Sequence, residues 1–344
     1  MSIETQTRLA PSHSVLRSTM NQDKIILAGG SGFLGGELAR HFCVLGWQVI
    51  ILSRSPRTRT NGVREITWDA KSLGNWANEF EGATAVVNLT GRSVDCRYTK
   101  KNRREIMESR VDSTRVVGEA ISRCKIPPRV WLNSSTATVY RHTFDKAHDE
   151  SSREMDSATD AKDAFSVEVA QAWERALFEE MDGRILMASA TKPATRRIAL
   201  RTSLVLGLGR NSVFPVLRRL TKFGLGGRQG SGKQFVSWIH VVDFCRAVEW
   251  MIAHDELSGP VNQCAPEPLP NSAMMKLFRE VCGVPIGLPA TEWMLEIGAF
   301  FLRTETELIF KSRRVVPGRL LESGFQFHYP TFREALMDLE NKAG

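Results

Sequence analysis

The stretch Lys24–Gly36, KIILAGGSGFLGG, decides the fold. Four apolar residues, Ile25 to Ala28, run into Gly29, Gly30, Ser31, Gly32, Phe33, Leu34 and Gly35. Apolar residues then recur at helical spacing, at Leu34, Leu38, Phe42 and Leu45. The order is buried strand, glycine turn, helix. Each glycine has a physical role in such a turn. Gly29 can take the positive φ that a sharp strand-to-helix reversal needs. Gly32 lets an anionic group approach the backbone, and Gly35 lets the helix lie close to the strand. A helix that starts here turns free N–H groups and its positive dipole end toward that group. Read without its context, the same string is an ordinary Gly-rich loop. The flanking strand and helix favour a pyrophosphate cradle built on Gly29, Ser31, Gly32, Phe33, Leu34 and Gly35.

The next apolar strand, Gln48 to Leu52, refines the nucleotide. A fold of this kind that prefers NAD usually ends this strand in Asp or Glu, which binds the ribose 2′-hydroxyl. Ser53 stands there, followed by Arg54 and, three residues on, Arg57. A guanidinium fork matches a 2′-phosphate. NADP(H) is therefore the expected cofactor, with Ser53 and Arg54 at its adenosine end.

Composition agrees with a soluble enzyme-sized protein. The chain has 344 residues, enough for a large core and two lobes. No apolar run is long enough to span a bilayer, so no membrane partner is expected. Six dispersed cysteines form neither a metal pattern nor a disulfide framework, and no metal is expected. A reducing, cytoplasmic setting is the expectation. The net charge of +8 admits anionic ligands or weak nucleic-acid affinity, but no basic–aromatic motif supports the latter.

Residues 1–22 read as a disordered tail. Strand and helix patterns then alternate: strand 83–89, helix 101–124, strand 129–134, helix 163–181 and strand 198–206. That alternation predicts an α/β, Rossmann-like, doubly wound parallel sheet over residues 23–250. Part of 205–240 is expected to interleave with a smaller, mostly helical substrate lobe over 251–344. Helices are predicted there over 274–281, 292–302 and 331–339. The polar stretch Arg141–Lys162 reads as a loop near the site. Gly227–Lys233 fits G-x-x-x-x-G-K, yet Gln234 replaces the Ser or Thr that would hold magnesium. It reads as a Gly-rich hairpin, with Arg228 and Lys233 available to an anion. Asp243 is the expected cap of a helix over 244–252.

From Lys24 onward the chain resembles the extended short-chain dehydrogenases/reductases. Within them it is similar to the NAD(P)-dependent epimerase-like subfamily that carries a C-terminal domain of unknown function. Matching segments are AGGSGFLGG, Val87–Gly91, Ser134–Tyr140, Leu200–Thr202, Ser237–Val241, Gly259–Asn262, Lys311–Pro317 and Leu321–Phe325. The resemblance implies cofactor contacts at Leu89, Thr90, Gly91, Ser134 and Ser135. It implies Thr136 as the catalytic hydroxyl, with Tyr140 beside it. It also exposes a departure. The family places Tyr-x-x-x-Lys on the following helix, where Phe165 and Val169 stand here. Four residues after the three tyrosines, Tyr98, Tyr140 and Tyr329, stand Asn102, Phe144 and Arg333. The expected catalytic residues are therefore Thr136 and Tyr140, with His142 a weaker candidate for a proton path. The expected function is hydride transfer on a small carbonyl or sugar-nucleotide-type substrate, within an oxidoreductase or epimerase. A non-catalytic NADP(H) sensor or scaffold and a nucleic-acid-associated Rossmann protein remain alternatives. A small-molecule partner and a monomer or homodimer are expected.

Overall fold

The computed structural model describes residues 22–59, 62–152, 161–185, 194–291 and 311–344. The expected tail, the centre of the 141–162 loop and the expected helix 292–302 lie outside them. The strands are β1 (Lys24–Ala28), β2 (Gln48–Ser53), β3 (Arg64–Thr67), β4 (Ala85–Asn88), β5 (Val130–Thr136) and β6 (Arg196–Thr202). Then come β7 (Leu204–Leu206), β8 (Phe235–Val236), β9 (Trp238–His240), β10 (Gly259–Gln263) and β11 (Leu269–Pro270). The helices are α1 (Phe33–Val44), α2 (Lys100–Arg123), α3 (Ala161–Ile185), α4 (Val213–Leu220), α5 (Val241–Ala253), α6 (Asn271–Val281), α7 (Gly318–Glu322) and α8 (Phe332–Ala343).

Seven strands form one parallel sheet in the order β10-β6-β5-β4-β1-β2-β3. Its central strands are apolar throughout because helices cover both faces. The two-residue period of a strand divides them cleanly. Ile25, Leu27, Val49, Ile51, Val87, Leu132 and Leu200 face the layer that contains α1 and α5. Ile26, Ala28, Ile50, Leu52, Val86, Trp131 and Ala199 face the layer that contains α2. The Rossmann-like sheet predicted from the alternation is present.

The chain runs outward from β1 through β2 to β3, and in the opposite direction from β4 through β5 to β6. The order therefore reverses between β1 and β4. The carboxyl ends of these two strands splay apart there, which is where open α/β sheets hold ligands.

Two boundaries and one strand differ from the sequence reading. The expected strand 198–206 breaks at Ser203 into β6, which stays in the large sheet, and β7, which leaves it to pair with β9. The expected boundary at 250 is passed by β10, which pairs with β6 as the edge strand of the large sheet. The pairing needs the short crossover from α5, a link that the helical bias of the C-terminal third concealed. β3 carries a single apolar residue, Ile66, and gave no sequence signal. A separate apolar cluster joins Leu206, Phe214, Leu217 and Trp238 to Met274, Phe278, Phe332 and Leu336, so the 205–240 segment packs with the C-terminal helices.

Candidate nucleotide-binding site

A cleft of about 770 Å³ opens at the β1/β4 switch point. Its walls come from Gly29, Ser31 and Gly32 after β1, and from Ser53 and Arg54 after β2. Trp68, Asp69, Ala70 and Lys71 after β3, and Leu89 to Ser93 after β4, continue them, with Glu105, Glu108 and Ser109 of α2.

The glycine turn has the geometry its sequence calls for. Gly29 sits at φ +70°, the left-handed region that favours glycine. A Cβ on it would also lie 2.6 Å from Thr90 Oγ1. A Cβ on Gly35 would meet the Gly30 backbone at 2.5 Å, so the helix can approach the turn only with glycine there. Gly32 is different: its φ is −83°, and a Cβ there would have nothing within 4 Å. The space beside Gly32 is open. Gly32 is the N-cap of α1 and offers no side-chain cap, so the first N–H groups of α1 have no capping side chain. Thr90 Oγ1, across the turn, is buried without a hydrogen-bond partner.

The turn after β4 is held from below. Asn88 is fully buried; its Oδ1 accepts from the Thr90 N–H at 3.1 Å and its Nδ2 donates to Asn133 Oδ1 at 2.8 Å. Thr114 Oγ1 donates to Arg110 O at 2.8 Å, lies 3.3 Å from Asn133 Oδ1 and accepts from Trp173 Nε1 at 3.0 Å. This network fixes Leu89–Gly91, and the sequence reading missed it. Its signal was present as polar Asn88 and Asn133 inside otherwise apolar strands.

At the end of β2, Ser53 is buried and its Oγ accepts from the Ser55 N–H at 3.3 Å. Arg54 lines the cleft and makes no hydrogen bond or ion pair among the described residues. Its neighbours differ. Arg59 pairs with Glu65, and the Arg57 N–H donates to the same carboxylate at 2.8 Å. Asp69 accepts from the N–H groups of Lys71 and Ser72, both at 2.9 Å. The Ser72 hydroxyl, then those amides, hold its carboxyl down at about 2. Ala70, with φ +64°, keeps this tight turn against the cleft.

The far end of β5 carries Ser134, Ser135, Thr136 and Tyr140, and none of these lines the cleft. Ser135 Oγ donates to Glu174 at 2.7 Å. Thr136 Oγ1 accepts from the Thr138 N–H at 3.2 Å and lies 3.0 Å from Thr138 Oγ1. Tyr140 is 1% exposed. Its phenol accepts from Arg201 Nη1 at 2.8 Å and donates to Asn262 Oδ1 at 2.9 Å. Burial pushes the phenol up to about 12. The expected catalytic residue Tyr140 therefore has its proton committed to Asn262 and shielded from solvent in the folded chain. His142 Nδ1 accepts the Ser312 N–H at 2.9 Å.

Other expectations shift as well. Arg228 folds back on its own loop, 3.4 Å from Gly230 O and 3.3 Å from Ser231 O, and neither it nor Lys233 lines the cleft. His240, rather than Asp243, caps α5: its Nδ1 accepts the Val242 N–H at 3.2 Å. Asp243 instead takes the N–H groups of His328 and Tyr329, both at 2.8 Å.

The sequence model of the NAD dependent epimerase/dehydratase family matches residues 25–263. The chain belongs to this family. A second model, a domain of unknown function (DUF1731), matches residues 290–339. Epimerase family protein YfhF of Bacillus subtilis is 30% identical over 318 residues, 92% of this chain and 97% of that protein. Human epimerase family protein SDR39U1 is 27% identical over 92% of this chain and 99% of its own length. A crystal structure of the human protein (isoform 2) with NADPH superposes with a TM-score of 0.77 at 26% identity, covering 92% and 99% of the two chains.

Against the epimerase family, the departure at Phe165 and Val169 now has a structural context. Both are buried and pack with Ile106 of α2. The Phe165 ring meets the Tyr98 ring edge-on at 5.2 Å. Arg103 lies 4.8 Å over the Phe165 ring. Val94, Cys96 and Met107 complete this apolar cluster. Among the described residues no helix is long and apolar enough to cross a membrane.

Proposed function

We propose that the cleft holds NADP(H), and that the protein uses it for hydride transfer on a small carbonyl or sugar-nucleotide-type substrate. The observation that carries the reading is the cleft wall itself. Open space beside Gly32 faces a helix N-terminus without a side-chain cap, and Ser53 stands where an NAD-type site needs a carboxylate, with unpaired Arg54 next to it. These residues fit the nucleotide. Gly29, Ser31, Gly32 and Gly35 would cradle the pyrophosphate at the start of α1. Thr90 Oγ1, a buried hydroxyl without a partner, would gain one from the ligand. Ser53 and Arg54 would take the 2′-phosphate. The NADPH held by the human relative supports the same choice.

The nucleotide, when bound, supplies or accepts the hydride. The protein's part is to orient a carbonyl beside it. At the end of β5 the Thr136 and Thr138 hydroxyls share one hydrogen bond, which leaves one hydroxyl proton free to donate to a substrate oxygen. A second reading, a non-catalytic NADP(H) sensor, is favoured by Phe165, Val169 and the committed phenol of Tyr140.

Calorimetry with NADPH and NADH tests the first step. NADPH should bind more tightly; equal affinities overturn the NADP assignment. Loss of NADPH absorbance across a panel of aldehydes, ketones and nucleotide sugars tests the second. Turnover that falls in Thr136→Ala supports the enzyme. Tight NADPH binding with no turnover on any of them supports the sensor.

A further inference from the structure

The contact between α2 and α3 holds a second cationic site beside the cleft. Arg103, Ile106 and Arg110 share one face of α2, and Phe165, Val169 and Trp173 share one face of α3. Arg103 lies over Phe165, and Arg110 lies 5.0 Å over the Trp173 ring. Ile106 fills the space between.

Arg110 is half-buried, and its charge is unanswered. Nη1 donates to Arg92 O and Ile106 O, both at 3.0 Å. Both acceptors are neutral carbonyls, and among the described residues no carboxylate pairs with this guanidinium. The neighbouring acids on its own helix face other cations: Glu105 pairs with Arg92, Glu108 lies 3.8 Å from Arg104, and Asp112 lies 4.0 Å from Lys71 and from Arg115. Desolvation lowers the guanidinium to about 10, with the Tyr98 phenol a partial offset. A buried charge is costly when it is not paired.

Arg110 also abuts the cleft wall. A Cβ on Gly91 would come 3.1 Å from its Cζ and 3.3 Å from both terminal nitrogens. Gly91, Arg92 and Ser109, its immediate surroundings, all line the cleft.

We propose that Arg110 anchors an oxyanion, a carboxylate or phosphate group, of a ligand that enters the cleft beside Gly91. The oxyanion supplies the missing counter-charge, and the guanidinium fork offers it paired donors. The inference rests on the proposed function only in taking this ligand to share the cleft with the nucleotide.

The test titrates the full chain with inorganic phosphate or with succinate, against potassium chloride at matched ionic strength, with and without saturating NADPH. Thermal melting and tryptophan fluorescence are read together. At least one oxyanion should raise the melting temperature saturably and change the fluorescence, where chloride does neither. Which of the two acts separates a phosphate from a carboxylate ligand. Trp173→Phe should lose the fluorescence change and keep the melting shift. Arg110→Gln should bind at least tenfold more weakly, and Arg110→Lys should fall between. The proposal is overturned if neither oxyanion outdoes chloride on the parent protein, or if Arg110→Gln binds as the parent does. It is also overturned if NADPH abolishes oxyanion binding, since the anion would then be occupying the nucleotide's own phosphate site. Should Arg110→Gln fail to fold, the parent titration and Arg110→Lys still decide. Oxyanion binding without any NADPH binding would sink the nucleotide reading and leave this one standing.

Discussion

The Tyr140 phenol accepts a hydrogen bond from Arg201 at 2.8 Å, and Arg201 is itself 1% exposed. Arg201 in turn grips Glu174 through Nε at 2.9 Å and Nη2 at 2.7 Å. The phenol is thus part of a buried polar lattice that ties β5, β6, α3 and β10 together. Tyr140→Phe should cost about 1–3 kcal/mol of stability, because Asn262 loses a donor and Arg201 an acceptor in a site closed to water. NADPH affinity should stay within about twofold of the parent. Arg201→Met should cost more, about 3–5 kcal/mol, because it leaves the Glu174 carboxylate buried without its cation. Urea unfolding checks both. A Tyr140→Phe protein of parent stability whose turnover falls a hundredfold would return the phenol to catalysis.

Gly32→Val separates binding from folding. The backbone at Gly32 is extended, and no atom lies within 4 Å of the Cβ position, so a branched side chain fits the folded chain. It would instead occupy the space where a pyrophosphate must meet the N–H groups of α1. NADPH and NADH binding should both collapse with an unchanged melting temperature. Gly29→Ala should behave differently and destabilise the protein, since Gly29 needs φ +70° and its Cβ would strike Thr90.

Arg54→Ala should weaken NADPH by about 1.5–3 kcal/mol and leave NADH nearly unchanged, the effect of losing charge-assisted hydrogen bonds to one phosphate. Arg59→Ala is the internal control, since Arg59 is already committed to Glu65. Calorimetry that finds the same loss for both nucleotides would place Arg54 against a part that they share.

What the sequence made legible follows from range. The glycine turn and the apolar strands are local patterns, and the switch point follows from strand–helix alternation, so half of the cleft could be named from residues close in sequence. The rest comes from Arg92, Ser93 and the first turns of α2, and from Trp68 to Lys71, brought in by β3, whose one apolar residue carries no periodicity. Tyr140 shows the limit most clearly. Its place in Ser134–Tyr140 is local, but its partners, Arg201 and Asn262, lie 61 and 122 residues away. Only the paired strands β5, β6 and β10 reveal that the phenol is spent. The cap of α5 failed for a smaller reason. Asp243 is a favoured capping residue, yet long-range demand from the His328 and Tyr329 amides claims its carboxylate, and the preceding imidazole caps instead.

That imidazole carries the last prediction. His240 is 1% exposed, and desolvation lowers it to about 4 from its ordinary 6.5, although Asp338 Oδ2 lies 3.2 Å from Nε2. The hydrogen-bond pattern agrees with the direction. Nδ1 accepts the Val242 N–H, so a proton there would break the cap of α5. The folded protein therefore keeps His240 neutral at pH values where the unfolded chain already binds a proton. Stability from this group is complete above about pH 6.5 and is lost as pH falls toward 4, by an amount on the order of 3 kcal/mol. His240→Asn can still cap through its side-chain oxygen but cannot take up a proton. Its unfolding free energy should be nearly flat between pH 6.5 and 4.5, where the parent's declines. Parallel pH profiles for the two proteins would show that another group governs the acid limb.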